Sequence, residues 1–250
     1  MRDVHRKILI YGHRGAKKFA PENTITAFQI ALDMGADGFE LDTMLSADGV
    51  PVVIHDRVLN RTTNGMGCVN KKNVKELMHL DAGSWYSDTY RKEKIPLLEE
   101  VLAVFGQRSH INIELKNFEN PFNGLVDRVC GLIKQFGLGE KIRFSSFIPF
   151  NLIRVRKIIP DAQLALLTEP DLLGKLLSSS LLRQLSPDFI HPHYSACTKQ
   201  FIAKQHAMGR SVTAWTVNER EVLKQLVSND IDGIITDDPA LAVQIRSKHV

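Results

Sequence analysis

Two alternating runs place the acidic chemistry of this sequence. In Gly38-Phe-Glu-Leu-Asp-Thr43 the side chains of Phe39, Leu41 and Thr43 fall on one face of an extended strand, and Glu40 and Asp42 on the other. Ile111-Asn-Ile-Glu-Leu-Lys116 repeats the pattern, with Ile111, Ile113 and Leu115 opposite Asn112, Glu114 and Lys116. If the apolar faces pack on helices, three carboxylates and a lysine share the inner surface near the strand ends. Unpaired buried carboxylates are costly and need a cation, a shared proton or basic partners. Oxygen donors without cysteine suit a hard divalent ion, Mg²⁺ or Ca²⁺ with Mn²⁺ as a third choice. Glu40, Asp42 and Glu114 bring three negative charges, and Arg14 with Lys116 returns two positive. A divalent ion therefore makes the site attractive to an anionic substrate.

The imidazoles come from two further segments. Asp48-Gly49, between extended runs, predicts a two-residue hairpin turn in which Ala47 pairs with Val50. That register sets His55 opposite Asp42, with Cβ atoms roughly 5 Å apart. A slip of one residue would turn His55 to the other face. The segment Tyr11-Gly12-His13-Arg14-Gly15-Ala16 ends a strand, and its two glycines allow a tight turn that leaves His13 and Arg14 unobstructed. Arg14 is suited to grip a pair of phosphate oxygens, and the helix opening after Asn23 offers free amides to an anion or a hydroxyl.

Positioning these groups takes a scaffold of alternating elements. Strands are predicted at 7–12, 38–43, 111–116, 142–146, 163–168, 188–191, 211–217 and 233–236. Helical patterns are predicted at 24–34, 97–105, 125–136, 150–159, 172–185, 199–208 and 219–228. Eight such units in 250 residues fit a (β/α)₈ TIM-type barrel, preferred here over an open doubly wound sheet that shares the alternation. One domain, 1–250, is expected. Its segment 57–94 fits no β/α unit and reads as an insertion at the C-terminal, mouth face of the strands, either a substrate wall or a plain loop.

With 44% hydrophobic and 24% charged residues the chain is neither disordered nor fibrous. The net charge of +4 is spread without a basic block, so no nucleic-acid partner is expected. Three scattered cysteines give no disulfide framework or thiolate zinc site. The N-terminal apolar stretch Ile8-Leu9-Ile10 is too short for a secretory signal, and no run approaches the roughly 18 residues of a membrane span. A cytoplasmic location is the default expectation.

Taken in order, His13-Arg14-Gly15, Pro21-Glu22-Asn23-Thr24, Glu40-Leu41-Asp42, Asp48-Gly49-x-Pro51-Val52-Val53-x-His55-Asp56, Glu114-Leu115-Lys116, Trp215-Thr216-Val217-Asn218 and Asp232-Gly233-Ile234-Ile235-Thr236-Asp237 resemble the glycerophosphodiester phosphodiesterase family. The resemblance spans residues 8 to 240. It implies a TIM-type barrel, a divalent metal held by Glu40, Asp42 and Glu114, and two catalytic histidines, His13 as base and His55 as acid. It also implies phosphate binding by Arg14 and Lys116 and a glycerol pocket bordered by Trp215. The expected reaction is metal-dependent hydrolysis of a small-molecule glycerophosphodiester to sn-glycerol 3-phosphate and an alcohol. The nucleophile is either water or the glycerol 2-hydroxyl.

His191 and His193 of the His-Pro-His segment are assigned to the substrate wall or a structural role, since members of the family often carry a similar segment. Asp237 and Asp238, ahead of Pro239, read as helix caps. A lysophospholipase D-type phosphodiesterase on the same site is the alternative, and would need an apolar surface, for which Trp85, Tyr86 and Tyr90 are the candidates. A noncatalytic binding barrel, which would be expected to lack a histidine or an acid, and a zinc amidohydrolase built on His191 and His193 are the other rivals.

Overall fold

Apolar strands separated by capped helices close into a barrel. The structure, a computed structural model, describes residues 7–179 and 188–249. Its strands are β1 (Leu9–Gly12), β2 (Gly38–Leu45), β3 (Pro51–Val53), β4 (His110–Leu115), β5 (Ile142–Ser146), β6 (Gln163–Thr168), β7 (Phe189–Pro192), β8 (Ser211–Ala214) and β9 (Gly233–Thr236). All but β3 run parallel, and β1 pairs with both β9 and β2, which closes an eight-stranded TIM-type barrel. Around it lie α1 (Ile25–Asp33), α2 (Val74–Met78), α3 (Leu98–Phe105), α4 (Leu125–Phe136), α5 (Pro149–Ile158), α6 (Leu172–Leu177), α7 (Lys199–Ala207), α8 (Arg220–Ser228) and α9 (Pro239–Ser247). The helical pattern predicted for 172–185 thus ends as a helix at Leu177, and its part from 180 onward lies outside the described residues. The strand predicted for 211–217 stops at Ala214.

The helix-facing side of β2 is apolar, as its alternation requires. Phe39 stacks on Phe28 of α1 with ring centroids 4.2 Å apart and meets Phe105 of α3 edge-on at 5.3 Å. Truncating a buried ring of this kind to alanine typically costs about 3–5 kcal/mol. The opposite end of the barrel is tied by Asp37, which accepts from the Ile10 amide at 2.8 Å and pairs with Lys7 and Arg246. Arg246 also donates to the Ile8 carbonyl, so α9 is fastened to β1. This arrangement fixes the inner face of β2, β4 and β1 on which the polar residues sit.

The β2–β3 hairpin departs from the expected register. Thr43 faces Val53 and Leu45 faces Pro51, one residue out from the pairing of Ala47 with Val50. The loop has three residues, 47–49, closed by Ser46 N–H donating to Val50 O at 3.0 Å, with Gly49 in the left-handed region (φ 77°). Three-residue hairpins commonly take this turn-plus-left-handed form. Asp42 therefore stands opposite Ile54, whose amide donates to the Asp42 carbonyl at 3.0 Å. A straight strand would now turn His55 away from the site. Instead the strand ends at Val53 and the chain bends at His55.

Segment 57–94 packs its own small apolar cluster, in which Leu59, Val69, Leu77 and Ala82 join Val52, Ile54 and Ile95. The hydroxyls of Tyr86 and Tyr90 donate to the carbonyls of Lys18 and Phe19 in the β1–α1 loop. Trp85 Nε1 donates to the Ala82 carbonyl at 2.8 Å, so all three aromatic residues expected on an apolar docking surface are anchored at their polar ends.

Candidate active site

Parallel pairing puts Asp42 of β2 directly beside Glu114 of β4, and Glu40 beside Asn112. One carboxylate oxygen each from Glu40, Asp42 and Glu114 lies within 4.8 Å of the other two, the one such cluster of potential metal ligands among the described residues. Asp42 Oδ1 and Glu114 Oε1 are buried and make no hydrogen bond. Three converging carboxylates, two of which carry a buried oxygen without a hydrogen bond, fit a divalent cation of the Mg²⁺ or Ca²⁺ type.

The β1–α1 turn brings in the basic residues. A Cβ at Gly12 would sit 2.7 Å from the Gly15 carbonyl oxygen, and Gly15 itself has φ 84°, so neither position admits another residue without a shift. Arg14, also at positive φ (52°), donates its amide to Glu40 Oε2 at 3.0 Å. Its guanidinium lies 2.8 Å from Glu22 and 3.1 Å from Asp42. Lys116 Nζ stands 3.4 Å from both Asp42 Oδ1 and Glu114 Oε1. Asn23, just ahead of the capping Thr24, donates to Asp42 Oδ2 at 2.9 Å.

These charges set the protonation of the acids. Burial, reinforced by the negative charges of Asp42 and Glu114, holds the Glu40 carboxyl well above the usual range. Burial also pushes Glu114 up to about 7, against the pull of Lys116. For Asp42 burial is outweighed by Arg14, Lys116 and His55, which keep it ionised far below the usual range.

Each histidine has a carboxylate on its Nδ1. His13 Nδ1 is 2.6 Å from Asp237 Oδ1, and Asp237 is held in turn by Asn218 Nδ2 at 2.8 Å. His55 Nδ1 is 2.5 Å from Asp56 Oδ1, and Asp56 is gripped by Arg61, which also forks onto Glu22 at 2.7 and 2.9 Å. A network thus runs from His55 through Asp56, Arg61, Glu22 and Arg14 to Asp42. With Nδ1 engaged, each ring has Nε2 left for a proton transfer. Burial lowers both imidazole pKa values, with Asp237 partly opposing it at His13 and Asp42 at His55.

His13, Arg14, Glu40, His55, Glu114, Lys116 and Trp215 line one cavity of about 210 Å³, with Phe147 and Leu167 among its apolar walls. Asp42 sits just behind it, 1% exposed. His191, expected at the substrate wall, is not among the lining residues. It is fully buried, neither ring nitrogen has a hydrogen-bond partner, and its backbone carbonyl accepts from Trp215 Nε1 at 2.7 Å. In β7 it pairs with Leu167, and its pKa is driven well down by burial and by Arg143. His193, by contrast, meets the Trp215 ring edge-on at 5.4 Å.

Sequence reading missed the second tier of the site. Asp237 is bonded to His13 rather than to a helix end, and Asp238 alone of the pair caps α9, accepting from the Leu241 amide at 3.0 Å. Arg61, inside the insertion, carried no sign of its link to Glu22. Asp56 was visible only as the residue after His55.

Comparison with known proteins agrees with this geometry. The family model of the glycerophosphoryl diester phosphodiesterase family matches residues 13–241. A glycerophosphodiester phosphodiesterase of Bacillus altitudinis is 38% identical over 96% of this chain and 98% of its own length. One from Caldanaerobacter subterraneus subsp. tengcongensis is 35% identical over 97% and 99%. An Oleispira antarctica phosphodiesterase, solved in complex with the product sn-glycerol-3-phosphate, superposes with a TM-score of 0.86 at 30% identity, covering 96% of each chain.

Proposed function

The chain belongs to the glycerophosphodiester phosphodiesterase family and is a phosphoric diester hydrolase, and from that premise we propose that it releases sn-glycerol 3-phosphate and an alcohol by metal-dependent acid–base catalysis with two histidines. The observation that carries this reading is the convergence of three carboxylates and two carboxylate-bound imidazoles on one cavity. Residues 1–250 are taken as one barrel domain with 57–94 as an insertion bordering the mouth. Among the described residues no helix is long and apolar enough to cross a membrane, and a cytoplasmic enzyme acting on small molecules is the reading adopted.

Glu40, Asp42 and Glu114 would hold the divalent ion, which when bound supplies positive charge and Lewis acidity toward phosphate. Arg14 and Lys116 bind the nonbridging phosphate oxygens and spread the charge that develops on them. His13 takes a proton from the attacking oxygen at Nε2, whether that oxygen is water or the glycerol 2-hydroxyl. As the bond from phosphorus to the alcohol oxygen breaks, His55 returns a proton to the leaving alkoxide. When the 2-hydroxyl attacks, a cyclic phosphate forms first and water opens it. Trp215 and Phe147 wall the glycerol side.

A leaving-group comparison tests the histidine roles. Replacing His55 by Ala slows release of an alkyl alcohol far more than release of p-nitrophenol, whose departure hardly needs a proton; equal losses would remove His55 as the acid. The lysophospholipase D-type alternative draws support from apolar residues on the mouth side, Phe122 at 72% and Leu172 at 85% exposure. Turnover of lysophosphatidylcholine measured beside that of glycerophosphocholine decides between them.

A further inference from the structure

A second cavity of about 340 Å³, larger than the first at about 210 Å³, opens beside it. Lys116 lines both. Its other walls come from the β2–β3 hairpin, from Arg57 and Val69 of the insertion, and from the β4–α4 loop with Phe118, Glu119 and Asn120. Arg57 and Glu119, from opposite walls, form an ion pair between them. We infer that this second cavity receives the alcohol arm of the diester and selects a neutral polyhydroxylated alcohol over a cationic one, an inference that rests on the phosphodiesterase reading above.

A phosphodiester held at Lys116 has two arms. The glycerol arm fills the cavity walled by Phe147 and Trp215, so the other arm must leave on the far side of the lysine. His55 lines the first cavity and Arg57, two residues on, lines the second, so an acid at His55 stands where the departing oxygen passes between them. A volume of this size lies at the lower end of ligand pockets, roughly 300–1,000 Å³, and admits a ring-sized alcohol.

The lining chemistry favours hydroxyls over a cation. Its ionisable residues are Arg57, Lys116 and Glu119, and the one carboxylate among them is already paired with Arg57, so the lining offers no free anion to hold a choline or ethanolamine head group. Phe118, 54% exposed, is the aromatic face that would attract an ammonium, but the Lys116 ammonium already lies 6.0 Å from its centroid. The C–H face of a polyol can rest on Phe118 and the neighbouring Met44, while the amides of Asn70 and Asn120 offer both donors and acceptors to its hydroxyls.

The test compares kcat/KM of the metal-loaded enzyme for glycerophosphoinositol, glycerophosphoglycerol, glycerophosphocholine and lysophosphatidylcholine. The two polyol esters are expected to lead glycerophosphocholine by about tenfold or more, carried mainly in KM. Phe118→Ala and Asn120→Leu should lower kcat/KM for the two polyol esters by more than they lower it for glycerophosphocholine, so that the lead shrinks. Arg57→Glu, which frees Glu119 and adds a second carboxylate to the lining, should raise kcat/KM for glycerophosphocholine. Equal or better use of the choline ester by the wild type, preference for lysophosphatidylcholine, or equal losses on all substrates would overturn the inference. If no glycerophosphodiester is hydrolysed with any metal, the catalytic reading itself has failed. Calorimetric binding of glycerophosphoinositol against glycerophosphocholine then still reads the second cavity, and equal affinities overturn it.

Discussion

Replacing Asp237 separates a positioning carboxylate from a helix cap. Its Oδ1 is 2.6 Å from His13 Nδ1, while Oδ2 accepts from Asn218 Nδ2 at 2.8 Å. In Asp237→Ala the imidazole loses a charge-assisted hydrogen bond worth about 1.5–3 kcal/mol. At ~1.4 kcal/mol per factor of ten this lowers kcat by about 10- to 150-fold. Asp237→Asn is expected to be worse. Asn218 still requires an acceptor, so the new amide turns its oxygen that way and its NH₂ toward His13. Nδ1 then becomes an acceptor and Nε2 carries the proton, the wrong tautomer for a base. An Asp-to-Asn change behind a triad histidine costs about 10⁴-fold for this reason. Asp237 partly opposes the burial that lowers the His13 pKa. Its removal lowers that pKa further and moves the acid limb of the kcat/KM profile to lower pH. Steady-state kinetics on glycerophosphocholine between pH 5 and 9, with thermal melts as a folding control, are the assay. An Asn variant no slower than the Ala variant, or both within about threefold of wild type, would refute the reasoning.

Glu40→Gln should leave the melting temperature of the metal-free protein nearly unchanged, because burial and the charges of Asp42 and Glu114 already push that carboxyl toward its neutral form. The same variant should lose the thermal stabilisation that millimolar Mg²⁺ or Ca²⁺ gives the wild type, and a retained metal-induced shift would count against the carboxylate site. Metal binding must strip protons from Glu40 and from Glu114, whose pKa is pushed up to about 7. Affinity should therefore rise with pH through that range, with protons released on binding. Calorimetry in buffers of different ionisation enthalpy reads the release, and a buffer-independent heat contradicts it. Chelation should abolish turnover and metal readdition restore it; full activity in metal-free protein would exclude the site. Arg61→Ala leaves Glu22 with fewer partners and should cost about 1–3 kcal/mol at neutral pH. Glu22, held at about 2 by Arg61 and Arg14 against burial, contributes stability that is present above its ordinary 4.5 and lost as pH falls toward about 2. The gap between wild type and variant in denaturant unfolding should accordingly narrow on acidification, and a constant gap would show that Glu22 is not the cause.

The barrel and the inner face of its acidic strands were legible because strand parity is a strictly local property. Phe39 and Leu41 had to pack on helices, so Glu40 and Asp42 had to point inward, and the same held for Glu114 and Lys116. The hairpin shows where local inference stops. Asp48-Gly49 signals a turn correctly, but a two-residue and a three-residue loop differ by one hydrogen bond, and the structure takes the longer one. His55 reaches the cavity because the chain bends after Val53, a bend the two-residue turn does not contain. The placement of His191 was likewise not readable, since its strand parity gives an inward direction but not a depth.

The sequence by itself determined which residues lie on which face of each strand, the order of the elements, and the acids and imidazoles available for chemistry, because these follow from backbone periodicity and side-chain type. Only the tertiary structure decided that Asp237 serves His13 across 224 positions and that Arg61 reaches from the insertion to Glu22. It alone also revealed the cavity beside Lys116. Pairings of this kind depend on how barrel closure and loop packing bring distant segments together in space, and no local pattern along the chain encodes that distance.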